Sequence, residues 1–404
     1  MIDDALLEQL AREHGTPLYL LDLDRVLGQV DRLTGFDTVR YAQKAHPGLA
    51  LLRALAARGL SIDATSGFEV ERALEAGFSA DRIELATDVL DRRTLATAVR
   101  HGVRVNLGSA DLIEPLAAAG GGPECTLRIN PGFGEGLDRR VTTGGPHSKH
   151  GIWHTELPAA IARAERAGLV VTGLHLHIGS GVDLEGLQAT IHAMEEHLFA
   201  SPPTVQRISA GGGLAVPYSA NGAEFPVERY CEAWRAAADG WQERLGRELE
   251  IEVEPGRYLV AQAGSLLTEV RATKQTPAWD WVLVDAGYCT LTRPMLYGAA
   301  HRIEAPGKAG APTRPQVVAG PLCEAGDVLT QDRAGEPRPI LLPEVTPGDL
   351  LVLRDTGAYG LSMASNYNGF PLPAEVLVEG GVPRLVRRRQ ILDDLLAPER
   401  DASA

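Results

Sequence analysis

From residue 38 to residue 253 the chain repeats one pattern. A short apolar run ends in polar residues or glycine, and an alanine- and leucine-rich stretch with helical spacing follows. The apolar runs fall at 38–43, 60–64, 82–86, 103–107, 125–129, 170–177, 205–210 and 249–253. Helical spacing covers 48–58, 67–76, 91–101, 110–119, 155–167, 183–199 and 228–246. Eight strands alternating with helices across about 230 residues is what a (β/α)8, TIM-like barrel requires. A doubly wound parallel sheet is the competing α/β architecture, and the strand count favours the barrel. Ahead of the pattern, 4–14 reads as an amphipathic helix stopped by Gly15, 16–21 as a strand, and Asp22-Leu23-Asp24 as the start of a helix reaching about Leu33. After Gly256 the rhythm stops. Runs of β character at 265–270, 281–285, 316–319, 350–353, 375–378 and 384–387 are separated by prolines and glycines, and predict a second, mainly-β domain. The expected division is 25–262 for the barrel and 1–24 plus 263–404 for the mainly-β domain. Residues 305–315 and 332–339 are expected to be exposed loops.

A length of 404 residues exceeds one ordinary domain, and a 44% apolar fraction is ample for a core. The formal net charge of −14 argues against a general binder of nucleic acid or of anionic membranes, which needs a basic face. Cys125, Cys231, Cys289 and Cys323 form no CxxC pair and no dense framework, so reduced thiols in a cytoplasm are expected. The start, Met1-Ile2-Asp3-Asp4-Ala5, lacks the basic region of a signal peptide, and no run of roughly 18 apolar residues offers a membrane span. A soluble, cytoplasmic protein is the expectation.

In a βα barrel the carboxyl ends of the strands carry the chemistry. The first strand leads into Lys44, and Pro47 then opens the first helical run. A lysine there can be desolvated and form a Schiff base with an aldehyde such as pyridoxal 5'-phosphate (PLP). A solvated strand-end lysine is the plainer reading of that stretch alone. The second strand brings Asp63, followed by Ser66-Gly67-Phe68-Glu69. The sixth brings His175 and His177, then Gly179-Ser180-Gly181. The seventh brings Ser209-Ala210-Gly211-Gly212-Gly213, and the eighth Glu254-Pro255-Gly256-Arg257. Three glycines bare the backbone N–H groups for a phosphate, or simply form a flexible turn. Glu254 can keep a pyridine nitrogen protonated, or can pair with Arg257. His177 can lie flat on a cofactor ring, or be a hydrogen-bonded core histidine. In the second domain, Pro321-Leu322-Cys323-Glu324-Ala325-Gly326-Asp327 sets a cysteine beside carboxylates in a turn. Gly357-Ala358-Tyr359-Gly360 and Ser365-Asn366-Tyr367-Asn368 are unlike a core strand. His175 and His177 are two apart with no cysteine pair beside them, so no zinc or other metal site is expected.

These segments resemble the fold-type III PLP-dependent decarboxylases, whose architecture is alanine-racemase-like. The resemblance spans nearly the whole chain. It is carried by Tyr41-Ala42-Gln43-Lys44-Ala45, Arg128-Ile129-Asn130-Pro131-Gly132-Phe133-Gly134 and Ser148-Lys149-His150-Gly151-Ile152-Trp153. His177-Ile178-Gly179-Ser180-Gly181-Val182-Asp183, 209–214, Glu254-Pro255-Gly256-Arg257, Arg293-Pro294, 320–327 and 355–368 carry the rest.

The resemblance implies roles. Lys44 is similar to the Schiff-base lysine, with Asp63 beside the cofactor, and His177 to the ring-stacking histidine. Ser180, Gly211, Gly212, Gly213 and Gly256 resemble the phosphate cradle, joined by Tyr367 from the second domain. Glu254 resembles the partner of the pyridine nitrogen. Arg257, Arg293, Tyr297, Glu324 and Tyr367 resemble substrate contacts. Cys323 is similar to a cysteine that crosses a dimer interface into the partner's site, and it or Lys44 resembles the donor that returns a proton to the α-carbon. The resemblance thus implies a homodimer with sites shared between subunits, acting on an amino acid. It is strongest to the branch that converts meso-2,6-diaminopimelate to L-lysine and CO2.

Three positions depart from the family pattern: Ala325 in place of a usual serine, Gly369-Phe370 in place of Ser-Arg, and His46 in place of a small residue. The changes at 325 and 370 leave open a paralogous decarboxylase with another amino-acid substrate. A racemase of the same fold is expected to place an arginine, not Glu254, on the pyridine nitrogen. A non-catalytic PLP-binding regulatory protein is expected to have lost Lys44 or Cys323.

Overall fold

A computed structural model describes residues 3–218 and 222–402. The chain divides into two compact units, one of residues 27–216 and 224–258, the other of residues 1–26, 217–223 and 259–404.

The first unit is a closed barrel of eight parallel strands. In chain order they are Thr38–Ala42, Ser61–Ala64, Ile83–Thr87, Arg104–Leu107, Glu124–Asn130, Val170–Leu176, Arg207–Ser209 and Glu250–Val253. Each pairs with the next, and the eighth returns to the first, with Glu252 opposite Thr38 and Val253 opposite Val39. A two-residue strand, Ile152–Trp153, adds to the end of the fifth. All eight apolar runs of the sequence are therefore strands, and the closed ring excludes the open doubly wound sheet.

Helices Leu49–Arg58, Gly67–Glu75, Arg92–His101, Ile113–Ala118, Leu157–Arg166, Leu184–Phe199 and Val227–Leu245 surround the ring. Their ends follow local chemistry. Ser66, Asp91 and Asp183 cap N-termini with side-chain oxygens, which satisfy N–H groups that the first turn leaves without partners. Gly59, Gly102 and Gly246 close C-termini in the left-handed conformation that glycine adopts without strain.

Two expectations shift here. The first strand ends at Ala42, one residue earlier than expected, and Gln43–Ala45 forms a 3-10 turn that carries Lys44. The helix expected over 110–119 begins as a 3-10 turn and is α-helical only over Ile113–Ala118, where Pro115 sits in the first turn and lacks only a donor unneeded there.

The second unit is built on a branched nine-stranded sheet. Its centre is Leu18–Asp22, antiparallel to Gly264–Gln275 and parallel to Ala374–Glu379. The helix Asp4–His14 buries Leu7 and Leu10 against Leu18, Leu20, Leu267, Val352 and Val376. A second core gathers Tyr19, Leu266, Val282, Val284, Val318, Leu351 and Leu353. Thr313–Ala319 is a strand, so 313–315 is paired sheet rather than the exposed loop expected there. Its partner Ile340–Pro343 and the C-terminal helix Leu392–Asp401 had no clear sequence signal. Among the described residues no helix is long and apolar enough to cross a membrane.

Candidate active site

The turn after the first barrel strand is pinned from both sides. Tyr41 donates its hydroxyl to the His46 carbonyl at 3.1 Å, and the Gln43 amide donates to the Glu69 carbonyl at 3.2 Å. Lys44 leaves this turn with its side chain about half exposed (46%), and its Nζ lies 2.6 Å from Asp63 Oδ2. Asp63 is buried and sits opposite Ala42 across the strand pair. Burial pushes the Asp63 carboxyl up, and the Lys44 ammonium offsets only part of that rise. The other Asp63 oxygen, Oδ1, is buried with no hydrogen-bond partner.

His177 follows the sixth strand. The Gly212 N–H donates to its Nδ1 at 3.2 Å, which leaves the ring proton on Nε2. Burial, with Arg128, His175 and Lys44 nearby, holds its pKa well below the usual histidine value, so the ring is neutral. It lies nearly parallel to the ring of His175, 14° apart and 6.4 Å between centroids.

Glu254, just past the eighth strand, accepts from the Ser209 hydroxyl at 2.6 Å, and His175 Nε2 lies 3.2 Å from its other oxygen. Burial alone would raise this carboxyl. His175 and Ser209 more than offset that, and Glu254 stays below the usual carboxylate range.

Gly211, Gly212 and Gly213 thread a space with no room for side chains. A Cβ would come within 2.2 Å of the Leu176 carbonyl oxygen at Gly211, 2.3 Å of that of Glu254 at Gly212, and 2.3 Å of that of Gly179 at Gly213. Gly211 and Gly213 also have positive φ, +65° and +103°. The Gly213 carbonyl accepts from Gly181 and Val182 N–H, which ties this loop to the Ser180 turn. Arg257 Nε donates to Ser180 Oγ at 3.1 Å. At Gly256 a Cβ would stand 3.0 Å from the Ala42 Cβ, so the last turn packs directly on the first strand.

The barrel mouth thus gathers Lys44, Asp63, His177, Ser180, Gly211, Gly212, Gly213, Glu254, Gly256 and Arg257. The set fits PLP: an amine for the aldehyde, a neutral ring face for the pyridine, a carboxylate for its nitrogen, and a bare backbone loop for its phosphate. Buried atoms at this mouth, among them Asp63 Oδ1, Arg128 Nε and His175 Nε2, lack hydrogen-bond partners, as polar groups awaiting a ligand do.

Sequence reasoning assigned no role to three residues of this neighbourhood. Arg128 is half-buried, near the charges of Asp63, Asp88 and Glu254, with Nη2 3.5 Å from the His177 carbonyl. Asp88 holds His150 and accepts from Gly151 N–H at 3.1 Å, anchoring the loop after the fifth strand. Asn106 meets His175. The available signal was a polar residue inside an apolar strand run, as Asn106 and Arg128 are.

In the mainly-β unit the predicted residues form two groups. Tyr367 donates its hydroxyl to Glu324, and Asn368 Nδ2 donates to Cys323 Sγ at 3.3 Å. Cys323 is exposed. Asp327 braces this turn by accepting from the N–H groups of Tyr288 and Leu322, at 2.6 and 2.8 Å. Arg293 opens the short helix Arg293–Tyr297; it contacts His301 at 2.9 Å and stacks on Tyr218 at 4.6 Å. Tyr297 ends the same helix.

A family model described as pyridoxal-dependent decarboxylase, pyridoxal binding domain, matches residues 22–261. The diaminopimelate decarboxylase of Streptomyces coelicolor is 46% identical over 406 residues, covering 98% of this chain and 92% of that protein. A crystal structure of a diaminopimelate decarboxylase superposes with a TM-score of 0.95 at 44% identity, covering 98% of this chain and 96% of the other. The Helicobacter pylori diaminopimelate decarboxylase complexed with L-lysine gives 0.87 at 30% identity, covering 98% and 99%. With a mouth furnished for PLP and similarity running through both units, the chain belongs to the diaminopimelate decarboxylase family of PLP-dependent amino-acid decarboxylases.

Proposed function

We propose that this protein removes CO2 from meso-2,6-diaminopimelate to give L-lysine, with PLP held at the barrel mouth. The observation that carries the reading is the pairing of a lysine at the mouth, Lys44, with a carboxylate kept ionised at the same mouth, Glu254. Full-length similarity to diaminopimelate decarboxylases supports the substrate.

In this reading Lys44 binds PLP covalently, Asp63 orients it, and His177 covers the ring. Ser180, Gly211, Gly212, Gly213 and Gly256 receive the phosphate, with Tyr367. Bound PLP supplies an electron sink for the pair left when the Cα–carboxylate bond breaks. Glu254 holds a proton on the ring nitrogen, which deepens the sink. Arg257, Arg293, Tyr297, Glu324 and Tyr367 hold the distal end of the substrate. Arginine suits a carboxylate that must survive, because it binds bidentately. Cys323 or Lys44 returns a proton to Cα. The protein acts as a homodimer, with the mainly-β unit carrying the substrate and interface residues and Cys323 serving the partner's site.

The test is CO2 release from PLP-loaded protein with meso-diaminopimelate beside a panel of L- and D-amino acids. Lysine from diaminopimelate is the expected result. An intact visible spectrum without turnover of diaminopimelate would reject it. In that event Ala325 and Phe370 mark a paralogue with another substrate. Lys44→Ala is expected to abolish both the bound-PLP absorption and turnover.

A further inference from the structure

Arg293 opens a short helix of the mainly-β unit and is only 4% exposed, so its guanidinium is held by protein rather than by water. Tyr218 and His301, of the same unit, do part of the holding. The Tyr218 ring centre lies 4.6 Å from the guanidinium carbon, and His301 Nε2 lies 2.9 Å from Nη1. The Tyr218 and His301 rings meet edge to face, 5.5 Å between centroids and 80° apart. His301 is buried, and its other ring nitrogen, Nδ1, lies 2.9 Å from the Arg354 carbonyl oxygen. The Arg302 carbonyl accepts from Arg354 N–H at 2.8 Å, and Ile303 and Glu304 continue as a strand against Leu353 and Val352. His301 is thus fixed to the sheet, and it ties to that sheet the helix that carries both Arg293 and Tyr297.

Both contacts of the His301 ring have one possible direction. A guanidinium only donates and a carbonyl only accepts, so Nε2 presents its lone pair to Arg293 and Nδ1 carries the proton to Arg354. A ring with one donor and one acceptor is neutral. It satisfies an arginine N–H without cancelling the charge, as a carboxylate in its place would. Tyr218 acts in the same sense: an aromatic face attracts the cation and leaves its N–H groups for a carboxylate. A long side chain held in this way loses little freedom when a ligand binds, which favours capture of a carboxylate.

We propose that His301 is a positioning residue for substrate recognition: with Tyr218 it holds Arg293 charged and in one orientation for the carboxylate that the product keeps. The inference rests on the reading of Arg293 as a substrate contact given above.

L-Lysine and cadaverine, the same diamine chain without the carboxylate, test it by calorimetric titration of the PLP-loaded protein, with no turnover needed. The wild type is expected to bind lysine more tightly than cadaverine. In His301→Leu the dissociation constant of lysine is expected to rise roughly tenfold while that of cadaverine stays within about twofold. His301→Gln, whose amide oxygen can accept from Arg293, is expected to keep lysine within about threefold of wild type. Equal losses for both ligands in His301→Leu would overturn the proposal, because they mean that the histidine only supports the fold.

If His301→Leu does not fold, nitrogen NMR of histidine-labelled wild type still decides, with His301→Gln to identify the signals. A proton on Nδ1 and a bare Nε2 are expected at neutral pH, and a proton on Nε2 rejects the contact. Arg293→Gln separates the two readings. A wild-type preference for lysine in Arg293→Gln rejects the substrate role of Arg293 itself. Loss of that preference in Arg293→Gln, beside unchanged lysine binding in His301→Leu, rejects only the positioning by His301.

Discussion

His177 is neutral because the barrel mouth gives a second positive charge no place to go. Burial removes its water, and Arg128 and Lys44 repel a proton. The folded chain then binds fewer protons at this site than the unfolded chain, whose histidine titrates near about 6.5. Stability from this residue is therefore full above that pH and is lost as pH falls through it, at up to about 1.4 kcal/mol per pH unit. Urea unfolding of wild type and His177→Asn at about pH 7 and pH 5 checks this. The wild type is expected to lose more stability between the two, and equal losses would sink the claim. Lys44 and Asp63 carry the opposite design, an ion pair at 2.6 Å in which the buried partner is the carboxylate. The residue types at this mouth were legible in the sequence, since each follows an apolar run at a strand end. The protonation states were not, because burial and neighbours from other strands set them.

At the scale of the strand, alternation decides which residues enter the barrel. Tyr41 and Arg40 are adjacent, and both are fully buried on opposite faces. Arg40 lies inside, 2.8 Å from Glu252 and 3.7 Å from Glu84, and Arg104 approaches Glu84 at 3.6 Å. This charged layer comes from the first, third, fourth and eighth strands, so no local pattern announces it. Arg40→Met leaves two buried carboxylates without their main cation. A loss of about 3–5 kcal/mol in unfolding free energy is expected, measured by denaturant titration. Charge removal without such a loss would show that the layer is open to water. The elements missed from sequence were those with weak burial. Ile340–Pro343 is flanked by prolines and leaves Leu341 68% exposed, and Leu392–Asp401 buries no residue and contains Pro398.

For the whole molecule, the proposed dimer makes a sharp demand. If Cys323 serves the partner's site, Lys44→Ala and Cys323→Ala chains fail for different reasons in different sites. Mixing the two inactive proteins under conditions that exchange subunits is expected to restore about a quarter of wild-type activity, since half the dimers are mixed and each has one intact site. No recovery, with exchange shown by differently tagged subunits, would confine each site to one chain.

The sequence by itself determined the periodicity: eight apolar runs with helices between them, glycines where backbone must pass close, and a lysine, histidines and a glutamate at strand ends. Those are local signals, set by side-chain alternation and turn chemistry within a few residues. Tertiary structure decided what is separated along the chain. It set Leu18–Asp22 between Gly264–Gln275 and Ala374–Glu379, and it closed the eighth strand on the first. It brought His175 and Ser209 to the Glu254 carboxylate. Closure of a ring fixes distances between residues that share no local pattern, and those distances choose the tautomer and the charge on which the chemistry depends.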